Sequence, residues 1–294
     1  MQTTMTVNRI SKLLWEHIPE FAPRTLDGVQ IIQRNSFCLS DGASSAFLRW
    51  IPNGDWRGET ELWYYRTILS MADLPTPRML AAVRTAEGTL AVWQWLEGSD
   101  LRQEHRSLLP AAFTLLGRFH LSQKHSGPVE SPVTHREYAT SHELLDAELD
   151  ALWSFGDLKA RHRCRQILAT LEAGLQTVNH GDVHPGNIIL AGNRLYFVDW
   201  GYAHRGLGLT DLAYLWDTRI HGGCPDDWWV ISEMEASNSL SAYLSASGEE
   251  DIDQSEVARA VMVWNQLCTH LNAVRNGLEA EVERSKKLIF ELLG

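Results

Sequence analysis

The amino-acid sequence predicts an α+β fold in which a small strand-rich N-terminal part precedes a larger, mainly helical C-terminal part. Short β-like segments dominate the first third of the chain, segments with helical periodicity dominate the remainder, and a few short strands interrupt the helical part. The chain has 294 residues, of which 44% are hydrophobic and 21% charged, so it is long enough and apolar enough to build two cores.

The N-terminal part is predicted to contain two helices and four strands. Residues 29–32 and 45–51 have strand character and flank a turn-rich stretch at residues 40–45. Residues 59–71 place apolar side chains at helical spacing and end before Pro75. The other predicted elements are a helix at residues 11–18 and strands at residues 79–83 and 90–96.

Gly98 ends this pattern, so the sequence predicts two domains, at residues 1–97 and 98–294. Residues 110–121 are apolar on more than one face, which predicts a buried helix, and Pro110 suits its first turn, where no N–H is needed. Gly192 and Asn193 are predicted to form a hairpin turn. The predicted helices are 110–121, 142–153, 159–175, 212–216, 228–244, 257–274 and 279–293, and the predicted strands are 177–180, 188–190 and 195–198.

The charge balance limits the partners. With 26 Lys and Arg against 37 Asp and Glu, the formal net charge is −11, which argues against binding to a nucleic-acid backbone. The same charge suits a cationic small molecule, although solubility alone also explains it. The N-terminus has no apolar signal core and no apolar run approaches ~18 residues, so we expect a soluble cytoplasmic protein without a membrane partner. The oligomeric state is left open.

The strongest local signal is the stretch Asn-His-Gly-Asp-Val-His-Pro-Gly-Asn at residues 179–187, with a predicted strand on either side. Phosphoryl transfer from ATP needs a carboxylate to accept the proton of the attacking hydroxyl, and an amide oxygen and a second carboxylate to hold magnesium against the phosphates. Kinases place the base and the amide ligand five positions apart on one loop, and the second carboxylate after the next hairpin. Asp182, Asn187 and Asp199 have this spacing.

These stretches resemble the aminoglycoside phosphotransferase and choline kinase superfamily. That family has His-Gly-Asp where protein kinases usually have His-Arg-Asp, and often Asp-Trp where they have Asp-Phe-Gly. The resemblance implies a bilobal protein-kinase-like fold, with a nucleotide-binding N-lobe at residues 1–97 and a catalytic and acceptor-binding C-lobe at residues 98–294. It also implies a phosphotransferase that uses ATP and magnesium and modifies an alcohol group of a small molecule.

The resemblance assigns roles residue by residue. Asp182 would be the catalytic base, and Asn187 and Asp199 would be the magnesium ligands. Asp211 would brace the catalytic loop, and His180 would support it structurally. His120, at the end of a helix common in the family, is interpreted as structural.

The predicted nucleotide-binding part matches the kinase pattern less closely, because no Gly-x-Gly-x-x-Gly is present. The candidate phosphate-covering turn contains Gly42 and Ser44, and a simple surface hairpin is the alternative. Arg49 occupies the position where a lysine is usual, and can hold phosphate; an ordinary edge-strand arginine is the alternative. Glu61 is our choice for the carboxylate that orients this cation, with Glu59 as the runner-up, and an acid favoured by the helix dipole as the simpler interpretation.

Residues 92–98 resemble the family's strand and hinge, against which adenine packs. Backbone groups near Gln94 and Leu96 are therefore predicted to bind the adenine of ATP. The side chains in this stretch carry little specificity.

The acceptor site is predicted among C-lobe helices. Residues 220–258 contain no Lys or Arg, so they form either an anionic wall for a cationic acceptor or a set of solvated helix ends. Nearby tryptophans could bind an amine by cation–π attraction or could be core residues. An aminoglycoside, a choline-like amine or a thiamine-like cation would suit such a site equally. The acids are Asp226, Asp227, Glu233, Glu235, Glu249, Glu250, Asp251, Asp253 and Glu256, and the tryptophans are Trp216, Trp228, Trp229 and Trp264.

Three other classes of protein compete with this interpretation. A binuclear metallophosphoesterase would need an earlier Asp-x-His and a later Gly-Asn-His, and both are missing, so His184 is interpreted as a loop residue. A protein kinase is disfavoured because only eleven residues separate Asp199 from Asp211 and no Ala-Pro-Glu segment is recognisable. A catalytically quiet relative that binds a nucleotide or a partner is suggested by Arg49 and the missing glycine-rich loop, whereas the intact Asp182, Asn187 and Asp199 argue against it.

Overall fold

The protein is described by a computed structural model. The chain folds into two compact units, one of Met1–Ser99 with Ile189–Gly201 and the other of Asp100–Ile188 with Tyr202–Gly294. The predicted helix at residues 142–153 lies outside the described residues. The structure describes residues 5–25, 28–33, 35–102, 104–124, 158–216 and 231–294.

The first unit is built on a five-stranded antiparallel sheet with strand order β1-β2-β3-β5-β4. Four of its strands match predicted ones, whereas β2 was not predicted. It follows a turn at Asn35 (φ 62°), and its three central residues give too short a pattern to recognise without its partners on both sides. The strands are β1 Val29–Gln33, β2 Ser36–Ser40, β3 Ser45–Pro52, β4 Met79–Arg84 and β5 Gly88–Gln94.

One face of this sheet is covered by helix α1, Val7–His17, whose Ile10 and Leu14 are completely buried among the sheet residues. The helix starts four residues before the predicted position because the Thr6 hydroxyl accepts the Arg9 N–H at 3.3 Å and caps it. Packing of the apolar face of α1 therefore completes the core of the first unit.

Helix α2, Trp56–Tyr64, is capped by Asp55, whose side chain accepts the Gly58 N–H at 3.4 Å. The chain then continues into one π-helical turn, Tyr65–Leu69. The sequence predicts a single helix over residues 59–71, since hydrophobic spacing does not distinguish an α-helical turn from a π-helical one. A π turn widens the helix locally, and π turns are frequent at functional sites.

A second sheet contains β6 Gly98–Asp100, β8 Ile188–Ala191 and β9 Arg194–Phe197, in the order β6-β8-β9. The predicted hairpin turn is confirmed: Gly192 has φ 59° and joins β8 to β9. The Phe197 N–H donates to the Pro75 carbonyl at 2.9 Å, which attaches β9 to the rest of the first unit.

The second unit is mainly helical, and its helices occur where the periodicity predicts them. Helix α3 packs closely on α5, and a side chain at Gly117 would place its Cβ only 2.7 Å from the Tyr243 carbonyl oxygen. Helix α6 packs against α4 and α7. These helices are α3 Leu109–Gln123, α4 Leu158–Glu172, α5 Glu233–Ser247, α6 Gln254–Arg275 and α7 Glu279–Leu293.

A two-stranded antiparallel sheet leads from these helices into the loop at residues 180–187. Strand β7, Gln176–Asn179, pairs with β10, His204–Leu207, so that Asn179 lies opposite His204. Strand β10 was not predicted, since its His-Arg-Gly-Leu sequence has no strand pattern. The chain leaves β10 directly into a 3₁₀ helix, Gly208–Leu215, where the sequence predicts a helix at residues 212–216.

In the part of the chain that the structure describes, no helix combines the length and apolar character needed to cross a membrane.

Helix α5 begins with a capping box that we expect to contribute measurably to stability. The Glu235 N–H donates to the Ser232 hydroxyl at 3.3 Å, and the Ser232 N–H donates back to the Glu235 carboxylate at 2.8 Å. Ser232→Ala should lower the free energy of unfolding by about 1 kcal/mol in urea denaturation. Ser237→Ala, at an exposed site within the same helix, is the control and should cause no loss, since alanine is the better helix former. Equal stabilities of the two variants would contradict the prediction.

Candidate active site

The chain leaves β7 through a sharp turn at Gly181, whose φ of 81° is costly for residues with a side chain. A Cβ there would also collide with the Tyr202 carbonyl oxygen. His180, immediately before it, is completely buried, and its Nδ1 atom lies 3.3 Å from the Asp182 nitrogen, whose N–H it accepts. The glycine of His-Gly-Asp is thus required by the backbone, and it presents Asp182 directly after a buried anchor.

Asp211 holds this turn from the 3₁₀ helix. Its Oδ2 accepts the His180 N–H at 2.7 Å and its Oδ1 accepts the Gly181 N–H at 2.8 Å. Both oxygens of one buried carboxylate are therefore committed to two successive backbone donors, which fixes the path of the loop just before Asp182.

A buried histidine lies beside Asp211. His120 Nε2 lies 3.3 Å from Asp211 Oδ2, and His120 Nδ1 lies 2.7 Å from the Tyr243 hydroxyl. Burial alone would raise the pKa of Asp211, but contacts with His120, the charge of His180 and the Gly181 N–H outweigh it, so the pKa is lowered. Asp211 is held as an ion in the core, and Tyr243 is a member of this network that the sequence did not suggest.

Asp182 is held by side chains on both of its oxygens. The Tyr214 hydroxyl donates to Oδ1 at 2.8 Å. The Asn187 amide nitrogen donates to the Asp182 carbonyl at 2.9 Å and to Oδ2 at 3.3 Å, while His184 Nε2 lies 3.9 Å from Oδ2. Because both hydrogen bonds of Asn187 use its nitrogen, the amide oxygen is the atom left for a metal ion.

Sequence reasoning missed Tyr214, although a signal was present. Residues three apart on a 3₁₀ helix lie on the same face, so Asp211 and Tyr214 both project toward the loop. Recognising that relation requires knowing that residues 208–215 form a 3₁₀ helix rather than an α-helix.

The first unit contains a second cluster of charged groups. On β3, the Arg49 guanidinium lies 2.7 Å from Oε2 of Glu61 on α2 and 3.5 Å from Oδ1 of Asp199 after β9. The structure thus brings together three of the residues that the sequence singled out. It is Glu61 that pairs with Arg49, and its side chain is only 7% exposed.

The groups of this cluster shift one another's pKa values. Burial raises the pKa of Glu61 to about 7, against the opposing effect of Arg49 and with a further upward contribution from Asp199. Burial would lower the pKa of Arg49, but the charges of Glu61 and Asp199 prevail and raise it. Arg49 thus contacts two carboxyl groups, and Arg57 adds a second positive charge near Glu61.

Asp199 itself adopts a left-handed backbone conformation with φ 60°, which is uncommon for a residue with a side chain. The following Trp200 is completely buried, and its indole N–H donates to the Phe197 carbonyl at 3.3 Å. The tryptophan of Asp-Trp-Gly therefore anchors the turn, while the Asp199 side chain remains 35% exposed.

The turn between β2 and β3 contains its own anion. Asp41 Oδ1 accepts the Ala43 N–H at 2.9 Å, the Ser44 N–H at 2.8 Å and the Ser44 hydroxyl at 3.3 Å. These hydrogen bonds lower the pKa of Asp41. A phosphate that used the Ser44 donors would have to replace this carboxylate, which the sequence did not anticipate.

The predicted hinge residues follow β5. Gln94 is exposed and Leu96 is half-buried. The Gln94 N–H donates to the Arg78 carbonyl at 2.8 Å, so this donor is already used within the sheet. A base bound here would depend on the remaining backbone groups of this stretch.

Several acids of the predicted acceptor region have structural roles. Glu235 belongs to the capping box and also accepts from Arg106 at 3.1 Å; Asp253 caps α6 through the Ser255 and Glu256 N–H groups; buried Glu249 accepts the Leu175 N–H at 2.9 Å. Trp216 and Trp264 are half-buried rather than core residues. Asp226, Asp227, Trp228 and Trp229 lie outside the described residues.

Comparison with known families assigns the chain to a class of phosphotransferases. Residues 29–248 match the family described as "Phosphotransferase enzyme family". This match covers about three quarters of the chain, and the chain belongs to that family. The superfamily inferred from the sequence is thereby confirmed. None of the curated proteins matches the chain significantly in sequence.

Solved structures share the fold at low sequence identity. Choline kinase LicA from Streptococcus pneumoniae is 14% identical, with a TM-score of 0.59 over 96% of this chain and 99% of that chain. A choline/ethanolamine kinase family protein from Mesorhizobium loti is 16% identical, with a TM-score of 0.58 over 98% and 95%. Aminoglycoside phosphotransferase APH(3'')-Id from Streptomyces rimosus, in complex with ADP and streptomycin, is 23% identical, with a TM-score of 0.52 over 80% and 90%. The predicted α+β kinase-like fold class is confirmed.

The brace formed by Asp211 predicts a pH dependence of stability. The pKa of Asp211 is depressed below 3.8 in the folded protein, so its contribution is complete above that value and is lost as the pH falls through the folded pKa. Asp211→Asn should lower the free energy of unfolding by about 3 kcal/mol at neutral pH, because one amide N–H₂ must face a backbone N–H donor. Urea denaturation from pH 7 to pH 3 should show this difference shrinking at the acid end. Exposed Asp251→Asn is the control, and a difference from wild type that stays constant with pH would contradict the assignment.

Proposed function

We propose that the protein is an ATP- and magnesium-dependent kinase that transfers the γ-phosphoryl group to a hydroxyl of a small cationic molecule. The observation that carries this proposal is the hydrogen-bonded loop in which Asn187 and Tyr214 hold Asp182, and Asp211 fixes the backbone before it. A carboxylate fixed this way is suited to accept a proton from an alcohol.

In the proposed reaction, the acceptor oxygen forms a bond to the γ-phosphorus while the bond from that phosphorus to the β–γ bridging oxygen breaks. Asp182 accepts the proton of the hydroxyl, and ADP leaves. Catalysis then depends mainly on positioning and on neutralising the charge of the phosphates, as in other phosphoryl transfers. Arg49, held by Glu61, supplies one of the charges that contact phosphate.

The donor set of the chain fits magnesium. The Asn187 amide oxygen and the Asp199 carboxylate are hard oxygen donors, the type of ligand that magnesium takes. Among the described residues, no group of three or more His, Cys, Asp or Glu side chains is placed to hold a metal ion. Magnesium in kinases uses one or two carboxylates together with substrate phosphates, and when bound it neutralises their charge.

We assign the remaining nucleotide contacts to the first unit. The proposal places the phosphates against Ser44 and Arg49 and the adenine against backbone groups of Gln94 and Leu96. Binding at Ser44 requires that phosphate displace the Asp41 carboxylate from its donors. Because ATP is supplied inside the cell, we also propose a cytoplasmic location.

The cationic acceptor is supported by the net charge of −11 and by the solved relatives, which are named as choline kinases or bound to streptomycin. The capping roles of Glu235 and Asp253 mean that the acids do not all serve the acceptor. We therefore propose a positively charged acceptor and name no single compound.

The alternative is a catalytically quiet protein that binds nucleotide. The Asp41 carboxylate on the phosphate-covering turn favours it, since this carboxylate competes with phosphate. The first experiment measures MgATP consumption against aminoglycosides, choline, thiamine, homoserine, methylthioribose and sugars, together with MgATP binding. Binding without acceptor-dependent turnover would favour the quiet protein.

Asp182→Asn should retain MgATP binding but lower turnover by about 10²-fold or more, because the base is lost while the loop keeps its hydrogen bonds. The loss of turnover is measured with the acceptor found in the panel, and the retained binding of MgATP is measured by calorimetry. Asp73→Asn, at an exposed aspartate outside the predicted acceptor region, should behave as wild type. Full turnover by Asp182→Asn would rule out its role as base.

Asp199→Ala should abolish magnesium-dependent turnover, since the carboxylate ligand is removed and Arg49 loses one of its two anionic partners. Titration of activity with magnesium at saturating ATP measures the effect. The matched control is Asp73→Ala, an exposed aspartate of the same unit. A magnesium dependence identical to that of wild type would exclude Asp199 as a ligand.

A further inference from the structure

Tyr214 is a half-buried tyrosine whose hydroxyl lies 2.8 Å from Oδ1 of Asp182, the proposed catalytic base. We infer that Tyr214 is a positioning residue, which fixes the orientation of the Asp182 carboxylate for the acceptor hydroxyl. This inference rests on the proposed function and adds to it a residue outside the loop and outside the predicted metal ligands.

The 3₁₀ helix Gly208–Leu215 makes this contact possible. Asp211 and Tyr214 lie three residues apart and therefore on one face of that helix. Asp211 holds the backbone of the loop at His180 and Gly181, whereas Tyr214 holds the side chain of Asp182. One short helix thus fixes both the path of the loop and the direction of the carboxylate that the loop carries.

The second oxygen of Asp182 has neighbours on its own loop. The Asn187 amide nitrogen lies 3.3 Å and His184 Nε2 lies 3.9 Å from Oδ2. His184 Nδ1 accepts the Gly186 N–H at 3.1 Å, so neutral His184 carries its proton on Nε2, the atom nearer Asp182. The His184 ring also packs edge-on against Tyr214, with centroids 5.6 Å apart.

These contacts leave room on the carboxylate for a substrate. An ionised carboxylate offers about four lone-pair positions, of which Tyr214 takes one on Oδ1. Burial first, and then the charge of Asp182 and its hydrogen bond, raise the pKa of Tyr214 well above its usual value. The phenol therefore stays protonated at physiological pH. It donates a hydrogen bond to Asp182 and does not give up its proton in place of the substrate hydroxyl.

The functional test is Tyr214→Phe, which keeps the ring and its contact with His184 but removes the hydroxyl. We expect kcat to fall about tenfold, with the KM for MgATP changed less than about twofold, since the carboxylate loses its orientation and nucleotide contacts are untouched. A purely structural role would not separate kcat from KM in this way. The control is Tyr196→Phe, a half-buried tyrosine of β9, which should keep wild-type kcat.

A second measurement does not depend on turnover. Thermal unfolding of Tyr214→Phe, Asp182→Ala and the double variant forms a double-mutant cycle. We expect Tyr214→Phe to lower the Tm by roughly 2–5 °C in the wild-type background, and by much less where Asp182 is already alanine, because a hydrogen bond to a charged group is lost only once.

The outcomes separate the two proposals. An unchanged kcat in Tyr214→Phe, with an active wild type, overturns the positioning role alone. Equal Tm losses in the two backgrounds also overturn it, since the hydroxyl and the carboxylate would then not interact. Absence of turnover by the wild type with every acceptor overturns the proposed function and, with it, the catalytic meaning of the contact.

Discussion

The candidate site depends on one interaction, the acceptance of two successive backbone N–H groups by the Asp211 carboxylate. His180 and Gly181 could not keep their sharp turn without a partner for both donors, since unpaired buried N–H groups are costly. The carboxylate is itself buried, and contacts that include His120 and the Gly181 N–H lower its pKa. The position of Asp182 is thus set by a chain of polar contacts that begins in the helical core at Tyr243.

The cluster of Arg49, Glu61 and Asp199 in the first unit also contains a buried carboxyl group, but the pKa of that group shifts in the opposite direction. Contacts with histidines and backbone donors stabilise the Asp211 carboxylate, so the pKa of its carboxyl is depressed. Glu61 faces one guanidinium together with another carboxylate, and burial raises the pKa of its carboxyl to about 7. Asp211 is thus paired within the core, whereas the cluster at Glu61 combines a buried carboxyl of raised pKa with further charged groups, a combination that is frequent at functional sites.

Acidic residues in this protein have more than one purpose. Glu235 and Asp253 cap helices, Glu249 binds a backbone N–H in the core, and Asp41 occupies the donors of a turn. A count of acids along the sequence therefore overstates the charge directed at a ligand. The Asp41 carboxylate already occupies the Ser44 donors, so the proposed binding of phosphate at that turn would require the turn to rearrange.

The sequence by itself determined the fold class, most of the helices and the hairpin at Gly192, and it pointed to the candidate loop at residues 180–187, because these depend on periodicity, turn residues and spacing within short stretches. Tertiary structure decided strands β2 and β10, the π-helical turn after α2 and the 3₁₀ form of residues 208–215. Tertiary structure also brings the Tyr214 hydroxyl to Asp182, 32 residues away in sequence, and the Tyr243 hydroxyl to His120, 123 residues away. Hydrogen bonds between residues so far apart leave no periodic pattern in either segment, so only the folded chain reveals them.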